Sequence, residues 1–278
     1  MSYSEFKPTI WSDKIFSEYD NALVFGGLAN RDYEGEITDG GSRVKIIECS
    51  DVTVRPYTGA DITFDADDGA AKYIDIDQEK YAAITIDSVD LVQSKPKAWN
   101  ERTRKMGVAL AETVESFIAG LYTEAGIEIG STSSVTSISS TNALSTLTSI
   151  YTKMSENNVP KNGRVAVLPP WFVEKITLAK VAKDTDNSST LANGFVGNFG
   201  GFEVYESNML SHSGTDWWAP MFFRANDTIA FVEQLTKTEA GKHEKKFGDY
   251  IKSLMVYGAK VVRPSSLAVC YCKAGSES

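Results

Sequence analysis

Four aspartates, Asp61, Asp65, Asp67 and Asp68, crowd a stretch that ends in the turn-forming triplet Asp67-Asp68-Gly69. Carboxylates at this density could hold calcium, but a twelve-position EF-hand loop opened at Asp65 would need its bidentate glutamate where the chain has Ile76. A solvated acidic turn is what remains. Further on, Lys95, Lys97, Arg102, Arg104 and Lys105 gather at the start of a strongly periodic segment. Positive charge is misplaced at the start of a helix, where the dipole favours carboxylates, so the compensating negative charge is expected from outside that helix. The acidic stretch and the basic patch therefore form a candidate contact, between one copy of the chain and the next.

An enzyme needs a nucleophile, a base or a metal cluster. The two histidines, His212 and His243, lie in polar loop contexts with no second ligand at helical spacing and read as surface side chains. The patterns G-x-S-x-G, H-E-x-x-H and G-x-x-x-x-G-K-[ST] do not occur. The run Gly194-Phe195-Val196-Gly197-Asn198-Phe199-Gly200-Gly201 has the glycine content of a phosphate cradle. It lacks the lysine, however, and leads into a strand where a cradle would open a helix, so a flexible loop is expected. Cys270 and Cys272 share a strand face, half of a soft-metal set with no partner pair, and are expected as buried thiols. No catalytic residue, metal or cofactor is expected.

The elements that must position these residues follow from periodicity. A leading arm carries Phe6, Ile10, Trp11, Ile15, Phe16, Tyr19, Leu23, Val24 and Phe25, with a short helix near 12–23 and the Gly26-Gly27 pair as punctuation. Period-two alternation then marks strands at Val44/Ile46, Val52/Val54, Ile74/Ile76 and Ile84/Ile86, read as an extended antiparallel hairpin or small meander. Met106, Leu110, Val114, Phe117, Ile118, Leu121 and Tyr122 recur at helical spacing and predict a long helix over 99–125, stopped at Gly126. Gly107 and Gly120 inside it either permit close packing, the preferred reading, or soften the rod for bending. A strand-like run over 131–140 precedes a second helix capped by Ser140 or Thr141. A buried strand at Val165–Leu168 leads to a third helix opened by Pro169-Pro170. Further strands are expected at 202–205, 229–235, 254–263 and 267–272.

Composition bounds the function. The 278 residues suffice for one large domain or two small ones, and the 28 basic against 37 acidic residues leave a net charge of −9. That balance argues against a surface built to hold nucleic-acid phosphates. The charge-free stretch 129–152 is dominated by Ser and Thr and is too polar to span a bilayer. The opening residues 1–8 place charges before any apolar run, so no secretory signal is expected. Three cysteines, an odd number, suit a reducing compartment. A two-stranded ribbon is marginal alone in water, and the arm is too short to form its own core. Both must pack either on the chain's own body or on a neighbouring copy, and the residues leave the two options open. The second option describes a self-assembling subunit.

In order along the chain, several stretches resemble the major capsid (coat) proteins of tailed bacteriophages. They are Asn30-Arg31-Asp32-Tyr33-Glu34-Gly35 with Gly41-Ser42-Arg43-Val44-Lys45-Ile46, Ile84-Thr85-Ile86-Asp87-Ser88-Val89-Asp90 with Gln93-Ser94, and then the long helix. Val167-Leu168-Pro169-Pro170-Trp171-Phe172, Gly201-Phe202-Glu203-Val204-Tyr205-Glu206-Ser207-Asn208 and Tyr257-Gly258-Ala259-Lys260-Val261-Val262-Arg263-Pro264 follow. The resemblance implies an α+β, Hong Kong 97-like coat fold. Its parts would be an N-terminal arm (1–32), an extended β loop (33–92), a peripheral domain with a spine helix (93–128), an axial domain (129–226) and a return to the peripheral domain (227–278).

Such subunits form pentamers and hexamers of an icosahedral shell around double-stranded DNA. The implied location is the virion capsid, assembled in the cytoplasm of the bacterial host. The implied partners are other copies of the chain, a separate scaffolding protein, a portal and a decoration protein. DNA would be enclosed without sequence-specific binding, and an acidic lining would keep the duplex from sticking to the wall. The expected inter-subunit residues are Asp61, Asp65, Asp67 and Asp68 against Arg102, Arg104 and Lys105, with Phe6 and Trp11 of the arm. Two other readings fit the residues: an encapsulin-like compartment enclosing cargo enzymes, and a glycan-binding adhesin module using the Trp217-Trp218 pair.

Overall fold

The segment Arg164–Leu168 is buried at every position, which requires cover on both faces of its sheet. A computed structural model describes residues 15, 23–33, 43–46, 54–57, 72–87, 97–179, 195–242 and 248–276. In chain order these form a one-turn helix α1 (Phe25–Leu28), strands β1 (Arg43–Ile46), β2 (Lys72–Asp75) and β3 (Gln78–Asp87), and a long helix α2 (Lys97–Gly120). After a 3-10 turn at Leu121–Glu124 come β4 (Ile127–Ile129), β5 (Thr136–Ile138), α3 (Ala143–Glu156), β6 (Arg164–Leu168) and α4 (Pro170–Leu178). Strands β7 (Phe195–Phe199), β8 (Phe202–Glu206), β9 (His212–Ser213), β10 (Trp217–Trp218) and β11 (Met221–Arg224) follow. The long pair β12 (Ile229–Lys242) and β13 (Gly248–Val261) comes next, then the short β14 (Ala268–Cys270) and β15 (Cys272–Ala274).

A mixed six-stranded sheet, ordered β4-β14-β11-β6-β8-β7, lies at the centre. Its side chains alternate between two cores. Val165, Val167, Met221, Phe223 and Val269 join one core with Leu110, Val114 and Ile118 of α2 and with Phe231, Ile251 and Tyr257 of the long strands. Ala166, Leu168, Phe222, Ala268 and Cys270 face the other, formed with Leu147, Ile150 and Met154 of α3 and Phe172 and Ile176 of α4. A three-stranded sheet, β12-β13-β3, lays one face on the first core. A small four-stranded sheet, β5-β15-β10-β9, completes the architecture with the β1-β2 ribbon.

Several elements differ from the sequence expectation, each for a local reason. The Gly26-Gly27 pair does not break the chain but lies inside α1. Strand β3 does not continue a hairpin or meander with β2: it pairs in register with β13 over its whole length, because Ala82 and Ile84 pack on the first core. Residues 54–57 form no strand. Helix α2 ends at Gly120, where an added Cβ would meet open space, so packing is not that glycine's role. Close approach occurs instead at Gly126, where a Cβ would lie 2.6 Å from the Pro264 carbonyl oxygen. The cap residue of α3 is Asn142, whose Oδ1 accepts from the Ser139 N–H at 2.8 Å, and the strand expected over 131–140 shrinks to β5.

The glycine-rich run is likewise no flexible loop within its described residues, since β7 and β8 form a hairpin. Gly200 (φ +56°) and Gly201 (φ +88°) supply the two positive φ angles of its tight turn. The helix expected near 12–23 lies outside the described residues, apart from the buried, helical Ile15 and from Leu23.

Candidate functional site

Of the residues expected to make contacts between copies, Phe6, Trp11, Asp61, Asp65, Asp67 and Asp68 lie outside the described residues. Arg102, Arg104 and Lys105 are placed on the first turns of α2, all exposed, while Thr103 and Met106 on the opposite face are buried. The division follows from the helical stripe, which turns every third or fourth residue inward. Arg104 donates from Nη2 to Glu101 Oε1 at 3.1 Å, a partner three residues back on the same helix. Arg104, and then Lys105, hold the Glu101 carboxyl below the usual carboxylate range. Part of the negative charge expected from outside the helix is therefore supplied within it.

The open question about the arm and the ribbon is settled for the described residues. Leu23, Phe25, Leu28 and Ala29 belong to the first core. Beyond them Asn30 donates to the Ile229 carbonyl and accepts from the Phe231 N–H, and Arg31 pairs with Glu233. In the ribbon, Val44, Ile46 and Ile74 pack against Ala230, Val232 and Val262. On its wet face, Arg43 donates to Asp75 at 2.5 Å and lies 6.0 Å from the Tyr73 ring. The described residues of both segments thus dock on the chain's own body. What stays uncovered is different: Val54 is 93% exposed, and Tyr57 and Tyr81 are each 78% exposed. Tyr81 stands on β3 opposite Leu254 of β13, on the face turned away from the core. Its signal in the sequence was an aromatic at a wet position of an alternating strand, beside Ala82 and Ile84.

Sequence reasoning also passed over Glu115, which sits on the buried stripe of α2 between Ala111 and Ala119. It accepts the backbone N–H groups of Val24, Phe25 and Gly26 at 3.0, 2.9 and 3.1 Å. Burial pushes its pKa up to about 7 against the pull of those three donors.

Among the described residues, no three His, Cys, Asp or Glu side chains converge as a metal site, and no helix is long and apolar enough to cross a membrane. Exposed His212 stacks on Trp218 with ring centroids 4.2 Å apart and shares a 3.0 Å contact with the Leu210 carbonyl. Trp217 packs edgewise or tilted on Tyr271 and Tyr122, at 5.8 and 5.9 Å. Both tryptophans are half-buried, and Trp218 has a ring face against His212. Cys270 and Cys272 are buried and unbridged.

A family model described as phage capsid protein matches residues 71–270. Among solved structures, the chain is similar to one from Mycobacterium phage Che8, with 29% identity, 89% of this chain and 90% of that chain covered, and a TM-score of 0.71. It is also similar to the capsid of cyanophage P-SCSP1u, with 19% identity, coverage of 91% and 89%, and a TM-score of 0.67. A virus-like particle from Pyrococcus furiosus shares the fold at 10% identity, with coverage of 93% and 96% and a TM-score of 0.59. No curated protein is a significant match.

Proposed function

Because the chain belongs to the phage capsid protein family and is a major capsid protein with the Hong Kong 97-like α+β fold, forming an icosahedral shell, we propose that it builds that shell from pentamers and hexamers closed around double-stranded DNA. The family match over residues 71–270 carries this reading. In it, residues 1–32 are the arm, 33–92 the extended loop, 93–128 and 227–278 the peripheral domain with α2 as spine, and 129–226 the axial domain. The exposed basic face formed by Arg102, Arg104 and Lys105 receives the carboxylates Asp61, Asp65, Asp67 and Asp68 of a neighbouring copy. Phe6 and Trp11 of the arm add apolar contact.

Exposed ion pairs contribute only about 0–1 kcal/mol each. They set the register between copies, while buried apolar area supplies most of the association energy at about 25 cal/mol per Å². A separate scaffolding protein, a portal and a decoration protein complete the particle, which assembles in the bacterial cytoplasm. The net charge of −9 keeps the inner wall from gripping the duplex. The compartment reading shares the fold and is disfavoured by the family match, and the glycan-binding reading by the same match and by the half-burial of Trp217 and Trp218, the latter stacked on His212.

Charge reversal tests the contact. Replacing Arg102, Arg104 and Lys105 together by glutamate should leave subunit stability within about 0.5 kcal/mol per exposed site and abolish particles seen by sedimentation and electron microscopy. Reversing Asp61, Asp65, Asp67 and Asp68 to lysine should do the same, and combining both sets should restore assembly in part. Normal particles from either single set would remove the proposed contact while leaving the family assignment intact.

A further inference from the structure

The turn that leads into β6 carries the dipeptide Asn162-Gly163. Gly163 sits at φ +73°, and a Cβ added to it would meet nothing within 4 Å, so the space beside its backbone is open. Its carbonyl accepts from the Ala225 N–H at 2.9 Å, but its own N–H donates to no partner among the described residues. Asn162 is exposed, and its side-chain amide makes no hydrogen bond among the described residues. Other asparagines are held: Asn30 Oδ1 accepts the Asp32 N–H at 2.8 Å, Asn142 bonds to Ser139 and Ser137, and Asn157 donates to the Lys153 carbonyl at 2.9 Å. At Asn162 an unheld amide therefore adjoins an unheld backbone nitrogen that no side chain shields.

We propose that Asn162 is a self-modification site, where the Gly163 nitrogen displaces the side-chain amide and Arg224 directs the product toward isoaspartate. In the first step the Gly163 nitrogen attacks Asn162 Cγ. A Cγ–N bond forms, the Cγ–Nδ2 bond breaks, and Nδ2 leaves as ammonia with the proton that Gly163 gives up, which closes a succinimide ring. Water then adds to one of the two ring carbonyls, breaking its bond to nitrogen, returning a proton to Gly163 and releasing a carboxylate. No oxidant or reductant is needed.

The choice between the two carbonyls is where the fold acts. Arg224 Nε donates to the Asn162 backbone carbonyl at 3.3 Å, while its Nη1 donates to Asp227 at 3.0 Å. A guanidinium on that carbonyl draws electrons from its carbon and faces the carboxylate set free there. Water attack at this carbon leaves the main chain running through Cγ, which is isoaspartate. Attack at Cγ gives aspartate and leaves the carbonyl at Nε neutral. A charge-assisted hydrogen bond is the stronger of the two, so Arg224 favours isoaspartate. Each event adds a negative charge, and the isoaspartate form adds a methylene to the main chain of the turn that feeds the buried strand β6.

The test is ageing of the unassembled full chain in mildly alkaline buffer, followed by peptide mapping with mass spectrometry and electron-transfer fragmentation to separate isoaspartate from aspartate. The peptide containing Asn162 should convert at a rate within about tenfold of that in the guanidinium-unfolded chain, which a held peptide would not allow. Its isoaspartate-to-aspartate ratio should exceed the unfolded ratio by about threefold, the size of effect an exposed charge pair supplies. Asn162→Gln should abolish the product, and Arg224→Met should return the ratio to the unfolded value. An Asn162 that stays intact in the folded chain while the unfolded chain converts, or a ratio equal in the two states, would overturn the proposal. If Arg224→Met does not fold, the comparison of folded with unfolded wild type decides alone. The site belongs to the single subunit, so its failure leaves the assembly reading untouched.

Discussion

Arg164 is a buried cation held by carbonyls, and its removal has a cost that depends on what replaces it. The residue is 1% exposed at the start of β6, on the side facing α3. Nε donates to the Pro160 carbonyl at 3.1 Å, Nη1 to the Tyr151 carbonyl at 3.1 Å and to Ser155 Oγ at 3.0 Å, and Nη2 to the Val159 carbonyl at 2.5 Å. The guanidinium also lies 4.4 Å from the centre of the Tyr151 ring. These acceptors cluster at the C-terminal end of α3, where the helix dipole favours positive charge. Burial draws the Arg164 pKa down from its ordinary value and Tyr151 opposes that shift, but a guanidinium stays charged in any folded protein.

Arg164→Met keeps most of the volume and removes the donors. The Tyr151 carbonyl retains the bond from Ser155 Oγ at 2.9 Å, and Pro160 is exposed, so the acceptor left dry is that of Val159. One orphaned buried acceptor costs about 1–3 kcal/mol. Arg164→Ala adds a cavity and the lost stack on Tyr151, for a total of about 3–5 kcal/mol. Denaturant unfolding of unassembled subunits measures both, read as a shift in midpoint at constant slope. A methionine variant within about 0.5 kcal/mol of wild type, or an alanine variant no worse than the methionine one, would refute the clamp.

Two further substitutions probe how the chain is fitted together. A Cβ on Gly258 would run into the Asp75 carbonyl oxygen, so Gly258→Val should lift the ribbon from β13 and cost about 1–3 kcal/mol; proteolysis of the ribbon at the wild-type rate would count against it. Gly201→Ala forces a side chain into φ +88° and places a Cβ 2.5 Å from the Tyr151 ring. It should lower stability by about 2 kcal/mol, whereas Gly200→Asn, at φ +56° and with its Cβ 3.3 Å from Leu147 Cβ, should cost less because asparagine enters the left-handed region. Equal thermal midpoints for the two hairpin variants would remove that distinction.

Much of this architecture was readable because strong periodicity survives tertiary context. The stripe Met106, Leu110, Val114 and Ile118 is buried as its spacing required. The unbroken apolar run at Val165–Leu168 proved to be a strand covered on both faces. What was not readable depended on partners distant in sequence. Alternation at Ile84 marks a strand but cannot say that its mate is Ile251 rather than a residue of β2. The same limit explains the glycine run: Phe202–Glu206 was legible, but its pairing back onto Phe195–Phe199 rests on two positive φ angles that composition shows only as glycine. At the candidate interface, spacing identified the exposed basic face of α2 but missed Glu101 as its in-helix counterion, although a residue three back is within reach on any helix. Glu115 was masked by type, since a glutamate on a helix is ordinarily counted to the wet face.

The two buried faces of the central sheet change what assembly has to supply. A subunit whose ribbon base and described arm had no cover of their own would need its neighbours in order to fold, and association would then be inseparable from folding. Here Val44, Ile46 and Ile74 are covered by Ala230, Val232 and Val262, and Phe25 and Leu28 by the first core, so the described body completes its cores without a second copy. In the proposed assembly, association draws on surfaces that cost little to expose, such as the basic face of α2, and among the described residues Tyr57 and Tyr81 are also left uncovered. Contacts of that kind are individually weak, which lets misplaced subunits detach and rebind before a closed shell fixes them.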